Sequence, residues 1–198
     1  GVEALLKNAG VEFINGWAQF EDAKTVKIGK GKDALLIQAE NVILANGSIP
    51  VELPFMKFGD HVISSKEALS LEELPKRIAV VGGGYIGLEL GITFRMLGSD
   101  VTIIEAMDSV LPIFDKELRR PLEIAIKKQK IAVHTNVFAK GVEAQDDGSV
   151  DLLYSPKDAA EGSEPERLNV DKVLVTVGRR PTSAALAPTG VALDEHGF

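Results

Sequence analysis

Three glycines and one glutamate are the residues of this chain whose types and spacing best fit a defined chemistry. Gly82, Gly84 and Gly87 have the spacing G-x-G-x-x-G, and Glu105 follows the last of them by 18 positions. A glycine-rich turn that opens a helix presents free N–H groups and a positive dipole end, both of which favour phosphate binding. An acid at this distance accepts hydrogen bonds from ribose hydroxyls. The pattern therefore predicts a dinucleotide site.

The segments around the motif have the order that such a site requires. Residues 77–81 predict an apolar strand before the glycines, and residues 85–97 predict a helix that Gly98 ends. Residues 101–105 predict a second strand, which carries the acid at its end. A glycine-rich turn that binds nothing is the alternative, and the matching strand, helix, acid and overall length weigh against it.

The glycines and the acid have separate predicted tasks. Gly82 allows a sharp turn, Gly84 has no Cβ to obstruct a pyrophosphate, and Gly87 allows the helix to lie close to the sheet. The charge of Glu105 repels a 2′-phosphate, and residues 106–109 contain no arginine or lysine to neutralise one. We therefore expect NAD rather than NADP.

Composition argues against several other functions. The 198 residues carry a net charge of −7 with scattered basic residues, so no nucleic-acid surface is predicted. The chain has no cysteine, and His61, His134 and His196 lack metal-ligand spacing, so no metal site is predicted. Glycines and Glu89 interrupt the longest apolar stretch, so we expect no membrane span. Residues 1–10 lack a basic start and an apolar h-region, so we expect no signal peptide, and we expect a cytoplasmic location.

The remaining patterns indicate a small antiparallel meander followed by a parallel α/β unit. Residues 2–9 predict a helix and residues 156–167 a polar surface loop. Ser64 and Glu67 form a capping box that opens a short helix. The predicted strands outside the motif are residues 11–15, 25–28, 35–39, 41–45, 131–134, 141–145, 149–154 and 172–177, and a further helix is predicted over residues 116–129.

Five segments resemble those of a known family. They are NGWAQF (15–20), VILANGS (42–48), VVGGGYIGLELG (80–91), IIEAMDSVLP (103–112) and VTVGRRP (175–181). In this order they are similar to the flavoprotein disulfide reductases, the pyridine-nucleotide-disulfide oxidoreductase family, and within it to the dihydrolipoamide dehydrogenase branch. The resemblance covers essentially the whole chain. It implies an α/β fold with a Rossmann-like NAD-binding domain, whose parallel sheet is attached to antiparallel strands of a discontinuous FAD domain.

The resemblance also implies a division of the chain. Residues 1–50 are a partial FAD-domain segment with the meander and the ANGS strand, residues 51–75 a linker and short helix, residues 76–182 the NAD-binding domain, and residues 183–198 a return toward the FAD domain. The family's C-x-x-x-x-C redox pair, its FAD glycine fingerprint and its His–Glu base are expected outside residues 1–198. We therefore expect part of a longer protein, with no catalytic residue in this chain.

Cofactor contacts follow from the same resemblance. Tyr85 resembles an aromatic gate over the flavin and Glu89 an acid that holds the nicotinamide amide, although plain packing and a solvated helix acid remain open for them. Asn46 stands where the family has Thr. The implied NAD contacts are Gly82, Gly84, Tyr85, Ile86, Gly87, Glu89, Glu105, Val137 and Gly178, and the implied FAD contacts, a partial site, are Gly16, Ala45, Asn46 and Gly47.

The function implied for the parent enzyme is electron transfer from a dithiol, through a disulfide and FAD, to NAD⁺. Its partner would be a 2-oxo acid dehydrogenase complex, and the present chain would bind NAD(H) without turnover until joined to the missing FAD and dimerisation domains. Two alternatives remain. One is the NAD domain of another NADH-linked relative, of the mercuric or coenzyme A disulfide reductase type, and the other is a stand-alone nucleotide-binding module.

Overall fold

A computed structural model describes residues 1–198, apart from the side chain of Lys32. The α-helices are α1 (Val2–Asn8), α2 (Ser65–Ala68), α3 (Tyr85–Leu97) and α4 (Lys116–Lys128), and Gly31–Asp33 and Ser183–Thr189 form 3-10 helices. The strands are β1 (Ala18–Phe20), β2 (Thr25–Ile28), β3 (Leu35–Gln38), β4 (Ser48–Pro50), β5 (Val62–Ile63), β6 (Arg77–Val81), β7 (Asp100–Ile104), β8 (Ala132–His134), β9 (Val137–Ala144), β10 (Val150–Pro156), β11 (Glu166–Val170), β12 (Lys172–Val175) and β13 (Arg179–Pro181).

The chain divides into two compact units. The terminal unit consists of Gly1–Ile49 and Arg180–Phe198, and the central unit is Pro50–Arg179. The central unit is built on a parallel sheet with the strand order β5–β12–β6–β7–β8. Strands β6 and β7 are joined by α3, and β7 and β8 by α4, which is the crossover connection that parallel neighbours need. The predicted α/β class is confirmed.

Strand β6 shows why its sequence is apolar throughout. Ile78 and Val80 face one hydrophobic cluster, which includes Leu88 and Phe94 of α3. The alternate residues Ala79 and Val81 face a second cluster, which includes apolar residues of β9, β10 and β11. Both faces of the sheet are therefore covered, by helices on one side and by the antiparallel sheet β11–β10–β9 on the other. This three-layer arrangement fixes the end of β6, where the glycine motif begins.

The terminal unit contains α1 and an antiparallel sheet of order β1–β2–β3. Its two chain segments meet at Thr182. The side-chain amide of Asn46 donates to the Thr182 carbonyl at 2.6 Å, and the Thr182 hydroxyl donates back to the Asn46 and Gly47 carbonyls at 2.5 and 3.0 Å. Asn46, which stands where the family has Thr, therefore contacts Thr182, a residue 136 positions away in the sequence.

Several predicted elements differ from the structure. The predictions of strands at residues 11–15 and 41–45 are wrong, since both segments are irregular and Ile43 is 93% exposed. A strand needs a paired neighbour, and the described residues supply none to either segment. Five strands were not predicted, namely β1, β4, β5, β11 and β13. Strand β5 lies in the segment interpreted as linker and short helix, and β11 begins within the predicted loop and pairs with β10.

Candidate functional site

The glycine turn, residues 82–84, lies between the end of β6 and the start of α3. Gly82 has φ +107°, a backbone conformation that side chains other than glycine rarely adopt. Gly84 is the N-cap of α3, and its carbonyl accepts from the Leu88 N–H at 3.0 Å. The N–H groups of residues 84–87 therefore have no acceptor within the helix. Together with the helix dipole, they form a site suited to an anion.

The space around each glycine shows whether neighbouring protein atoms exclude a side chain or whether the position is open to a ligand. A Cβ on Gly87 would lie 2.1 Å from the Gly82 carbonyl oxygen and 2.6 Å from the Thr176 hydroxyl oxygen, so this position excludes a side chain in the free protein. A Cβ on Gly84 would meet no atom within 4 Å. Packing therefore requires glycine at position 87, whereas at position 84 the open space is available to a ligand.

Gly83 and Gly91 correct two details of the sequence interpretation. A Cβ on Gly83, which the motif leaves unspecified, would lie 2.9 Å from the Val110 side chain and 3.1 Å from the Glu105 carboxylate, so a side chain at this position would displace one or both of them. Gly91 lies four residues after Gly87 on the same helix face, and this spacing predicts the same close helix–sheet contact. A Cβ on Gly91 would instead be 3.5 Å from Val101 and 3.6 Å from Val80, which are ordinary contact distances.

Glu105 follows β7 and its carboxylate contacts the glycine turn directly. The residue is buried, at 7% exposure. Its Oε2 accepts from the Gly83 N–H at 2.6 Å, and its Oε1 accepts from the Met107 N–H at 2.7 Å. Each carboxylate oxygen can accept a second hydrogen bond, so these contacts leave capacity for ribose hydroxyls. The acid therefore connects the end of β7 to the turn after β6, a structural task that the motif alone did not predict.

A cation approaches the segment after Glu105, although residues 106–109 contain none. The Arg119 guanidinium, in α4, donates to the Ser109 hydroxyl. That hydroxyl in turn donates to the Asp108 carboxylate at 3.0 Å. The local sequence gave no signal for this contact, because it depends on where α4 begins relative to β7. The lack of basic residues in 106–109 therefore does not leave this segment without a neighbouring cation.

The two candidate residues on α3 share one helix face. Tyr85 is 57% exposed and Glu89 is also exposed, so neither is part of the core. Ile86, between them in sequence, is half-buried. The Tyr85 ring is therefore not packed within this chain, whereas the exposure of Glu89 also fits a solvated helix acid, the alternative considered for it. Both side chains are accessible to a ligand that extends from the glycine turn along α3.

Val137 and Gly178 both lie near the edge of the central sheet where the parallel strands end. The two residues differ in their surroundings. The side chain of Val137 belongs to the core beneath the antiparallel sheet, and its N–H donates to the Glu105 carbonyl at 3.1 Å. Gly178 follows β12, has φ +133° and accepts from the Val51 N–H at 3.0 Å. Contact between Val137 and a nucleotide would therefore be through its backbone.

The flavin candidates of the terminal unit lie in two different environments. A Cβ on Gly16 would be 2.5 Å from Ile28 in β2, so this glycine packs against the antiparallel sheet. The turn of Ala45, Asn46 and Gly47 is exposed, with Gly47 at φ +72°, and it contacts Thr182. The described contacts therefore do not bring Gly16 and this turn together.

We also searched the structure for cavities, metal sites and membrane-spanning helices. A cavity of about 310 Å³ lies beside α4, with an apolar lining that includes Val110, Ile126, Ile131 and Val133. Among the residues that the structure describes, no group of three or more His, Asp or Glu is arranged to hold a metal ion. Within the same residues, every helix is too short or too polar to cross a membrane.

Comparison with known proteins assigns the family. The pyridine nucleotide-disulphide oxidoreductase family matches residues 1–198. The chain belongs to this family. The resemblance predicted from its sequence is confirmed, and the curated relatives include the dihydrolipoyl dehydrogenases of Geobacillus stearothermophilus and Pseudomonas aeruginosa, which are 41% and 40% identical to it. Each alignment covers 100% of this chain and 41% of the relative, so the chain spans about two-fifths of their length.

Solved structures agree with the family. The HOCl-induced flavoprotein disulfide reductase RclA from Escherichia coli matches with a TM-score of 0.80 and 26% identity, over 98% of this chain and 43% of that chain. LpdA from Mycobacterium tuberculosis matches with a TM-score of 0.83 at 22% identity, again over 98% and 43%. The second likeness concerns the fold alone.

Proposed function

We propose that the chain is the NAD-binding part of an FAD-dependent dihydrolipoyl dehydrogenase, a parent enzyme that passes electrons from a dithiol to NAD⁺. Residues 76–182 are the NAD-binding domain in this proposal. Residues 1–50 and 183–198 belong to the FAD domain, and residues 51–75 connect them. The relatives named above support the enzyme class, and the geometry of the glycine turn supports the nucleotide site.

One observation carries the nucleotide assignment. The first N–H groups of α3 have no acceptor within the helix, and the position where a Cβ of Gly84 would lie is open. These are the two features that a pyrophosphate needs, namely hydrogen-bond donors and room to approach them. The residues present therefore fit the phosphate part of NAD.

The other proposed contacts extend from this point. Glu105 accepts from the adenosine ribose with the acceptor capacity that its backbone contacts leave. Tyr85, Ile86 and Glu89 contact the nicotinamide half along α3, and Val137 and Gly178 contribute backbone. When bound, the nicotinamide ring supplies hydride acceptance, whereas this chain's residues bind and orient it.

The flavin part of the proposal concerns the full-length parent. Gly16, Ala45, Asn46 and Gly47 are proposed as part of an FAD site that the remainder of the parent completes. The proposed partner is a 2-oxo acid dehydrogenase complex, and the proposed location is cytoplasmic. For the full-length protein, NAD⁺-dependent oxidation of dihydrolipoamide tests the activity, and oxidation with NADP⁺ alone would contradict it.

Calorimetric titration of the 198-residue chain with NADH and NADPH tests the nucleotide assignment. A 2′-phosphate beside Glu105 loses ribose hydrogen bonds and adds like-charge repulsion, together on the order of 1–3 kcal/mol. We expect NADH to bind about tenfold or more tightly than NADPH. Equal affinities, or tighter binding of NADPH, would contradict the proposal.

Two variants extend this titration, one that should lose NADH affinity and one that should keep it. Glu105→Ala should weaken NADH most, because it removes both the ribose acceptor and the contact to Gly83. Arg119→Ala should leave the NADH affinity unchanged, because its guanidinium contacts Ser109 and not the glycine turn. A loss of NADPH binding alone in Arg119→Ala would instead identify this arginine as a partner of the 2′-phosphate.

A further inference from the structure

Thr176 reaches the glycine turn from the strand on its other side. Strand β12 lies beside β6 in parallel register, and the Thr176 N–H continues that ladder by donating to the Val81 carbonyl at 2.8 Å. The Thr176 hydroxyl oxygen lies 2.9 Å from the Gly82 carbonyl oxygen and 3.2 Å from the Val81 carbonyl oxygen, so the contact to Gly82 is the shorter of the two that its one proton can make. The ladder is complete without this side chain, so the hydroxyl adds a separate bond to the turn.

The hydroxyl and the Glu105 carboxylate hold the same peptide plane. The Gly82 carbonyl and the Gly83 N–H belong to one trans peptide and point in opposite directions. Thr176 donates to the carbonyl from the end of β12, and Glu105 accepts from the N–H at 2.6 Å from the end of β7. Strands β12 and β7 are the two neighbours of β6, so this peptide plane is held from both sides.

The next peptide plane is fixed in turn. The Gly83 carbonyl accepts from the Leu111 N–H at 3.0 Å. Because the Gly84 N–H lies on the opposite side of that plane, it is directed away from Leu111. The direction of the first N–H group offered by α3 therefore depends on the two planes before it.

We propose that Thr176 is a positioning residue of the pyrophosphate site, where its hydroxyl and the Glu105 carboxylate together hold the Gly82–Gly83 peptide and so fix the direction of the N–H groups that follow. The inference rests on the proposed nucleotide function. It adds a residue that the glycine motif does not contain, and it assigns to Glu105 a second task besides ribose binding. Preorganised donors bind an anion without the cost of reorientation.

The test compares Thr176→Val with Thr176→Ser in the 198-residue chain. Valine keeps the shape and removes the hydroxyl, whereas serine keeps the hydroxyl. Loss of the bond should weaken ADP and NADH roughly fivefold, while serine should restore wild-type affinity. Adenosine, followed by ligand-observed NMR, has no pyrophosphate and should bind all variants equally. Thr93→Val is a matched control, because the Thr93 hydroxyl donates to the Glu89 carbonyl within α3.

The possible results distinguish a failure of the positioning role of Thr176 from a failure of the proposed nucleotide function. Unchanged ADP affinity in Thr176→Val, or equal weakening of ADP and adenosine, would overturn the positioning role while the nucleotide function stands. If the wild-type chain binds neither ADP nor NADH, the proposed function fails, and amide exchange of Gly83 in the free protein, whose N–H donates to Glu105, still tests Thr176. Exchange should be roughly fivefold faster in Thr176→Val than in Thr176→Ser, and equal rates would overturn the inference. If the valine variant does not fold, Thr176→Ala takes its place with the same expected results.

Discussion

Replacing Gly84 by alanine should weaken nucleotide binding more than about 100-fold and leave the fold intact. In the free protein the added Cβ meets no atom within 4 Å, and Gly84 has φ −73°, which alanine adopts without strain. Alanine is a poorer N-cap than glycine by a few tenths to about 1 kcal/mol, and the loss of unfolded-state freedom offsets this by about 0.4–1 kcal/mol. The free energy of unfolding should therefore change by less than about 1 kcal/mol.

The effect on binding follows from the same position. The methyl group would occupy the space through which a pyrophosphate reaches the N–H groups of α3. The displaced phosphate would lose about two charge-assisted hydrogen bonds, each worth about 1.5–3 kcal/mol. A loss of about 3 kcal/mol or more corresponds to a Kd for NADH more than about 100-fold higher.

Gly87→Ala is the matched comparison within the motif. Its Cβ would lie 2.1 Å from the Gly82 carbonyl oxygen, so α3 or the glycine turn must move. Overpacking of this kind costs about 1–3 kcal/mol. Urea denaturation and NADH titration of both variants separate the two effects. Strong binding by Gly84→Ala, or a loss of stability in Gly84→Ala equal to that in Gly87→Ala, would refute this assignment of the two glycines.

Three other properties can be tested in the same chain. Gly91→Ala should raise the free energy of unfolding by about 0.5–1 kcal/mol, because alanine is the better helix residue and its Cβ has room; destabilisation in urea would contradict this. Burial and the hydrogen bond to Glu166 raise the pKa of Tyr154 to about 12, so the folded state holds this proton more tightly than the unfolded chain. That stabilisation should be lost as the pH rises from about 10 through 12, and Tyr154→Phe should remove this part of the alkaline dependence, whereas parallel pH profiles would argue against it. The purified chain should carry no stoichiometric flavin, and flavin absorbance at one equivalent would show that Gly16 and the turn of residues 45–47 suffice for FAD.

The sequence predicted best the elements that have strong local signals. Helix α3 begins at Tyr85 and ends at Leu97 as predicted, because a glycine turn precedes it and Gly98, with φ +116°, ends it. Residues 41–45 have the composition of a buried strand, but composition does not supply the neighbour with which a strand must pair. Strand β11 was not predicted because most of its residues are polar. Only its alternate residues Leu168 and Val170 pack against the core, and the sequence pattern did not reveal this alternation.

In the candidate site, too, the sequence did not predict contacts between residues that lie far apart in the chain. The spacing predicted that Glu105 and the glycines belong together, because parallel strands end at the same edge of a sheet. It did not predict that Glu105 bonds to Gly83 or that Thr176 bonds to Gly82. These contacts depend on the register of β12, β6 and β7, which long-range packing sets.

Nuclear magnetic resonance mapping of NADH on the isotope-labelled chain is the most direct measurement of where the nucleotide binds. The largest shifts of the backbone amide signals should occur at Gly84, Tyr85 and Ile86, with a further change at Glu105. The signals of residues 18–38 in the terminal unit should remain unchanged. Binding that instead shifts residues around the cavity beside α4, or no change at residues 84–86 under saturating NADH, would contradict a pyrophosphate site at the glycine turn.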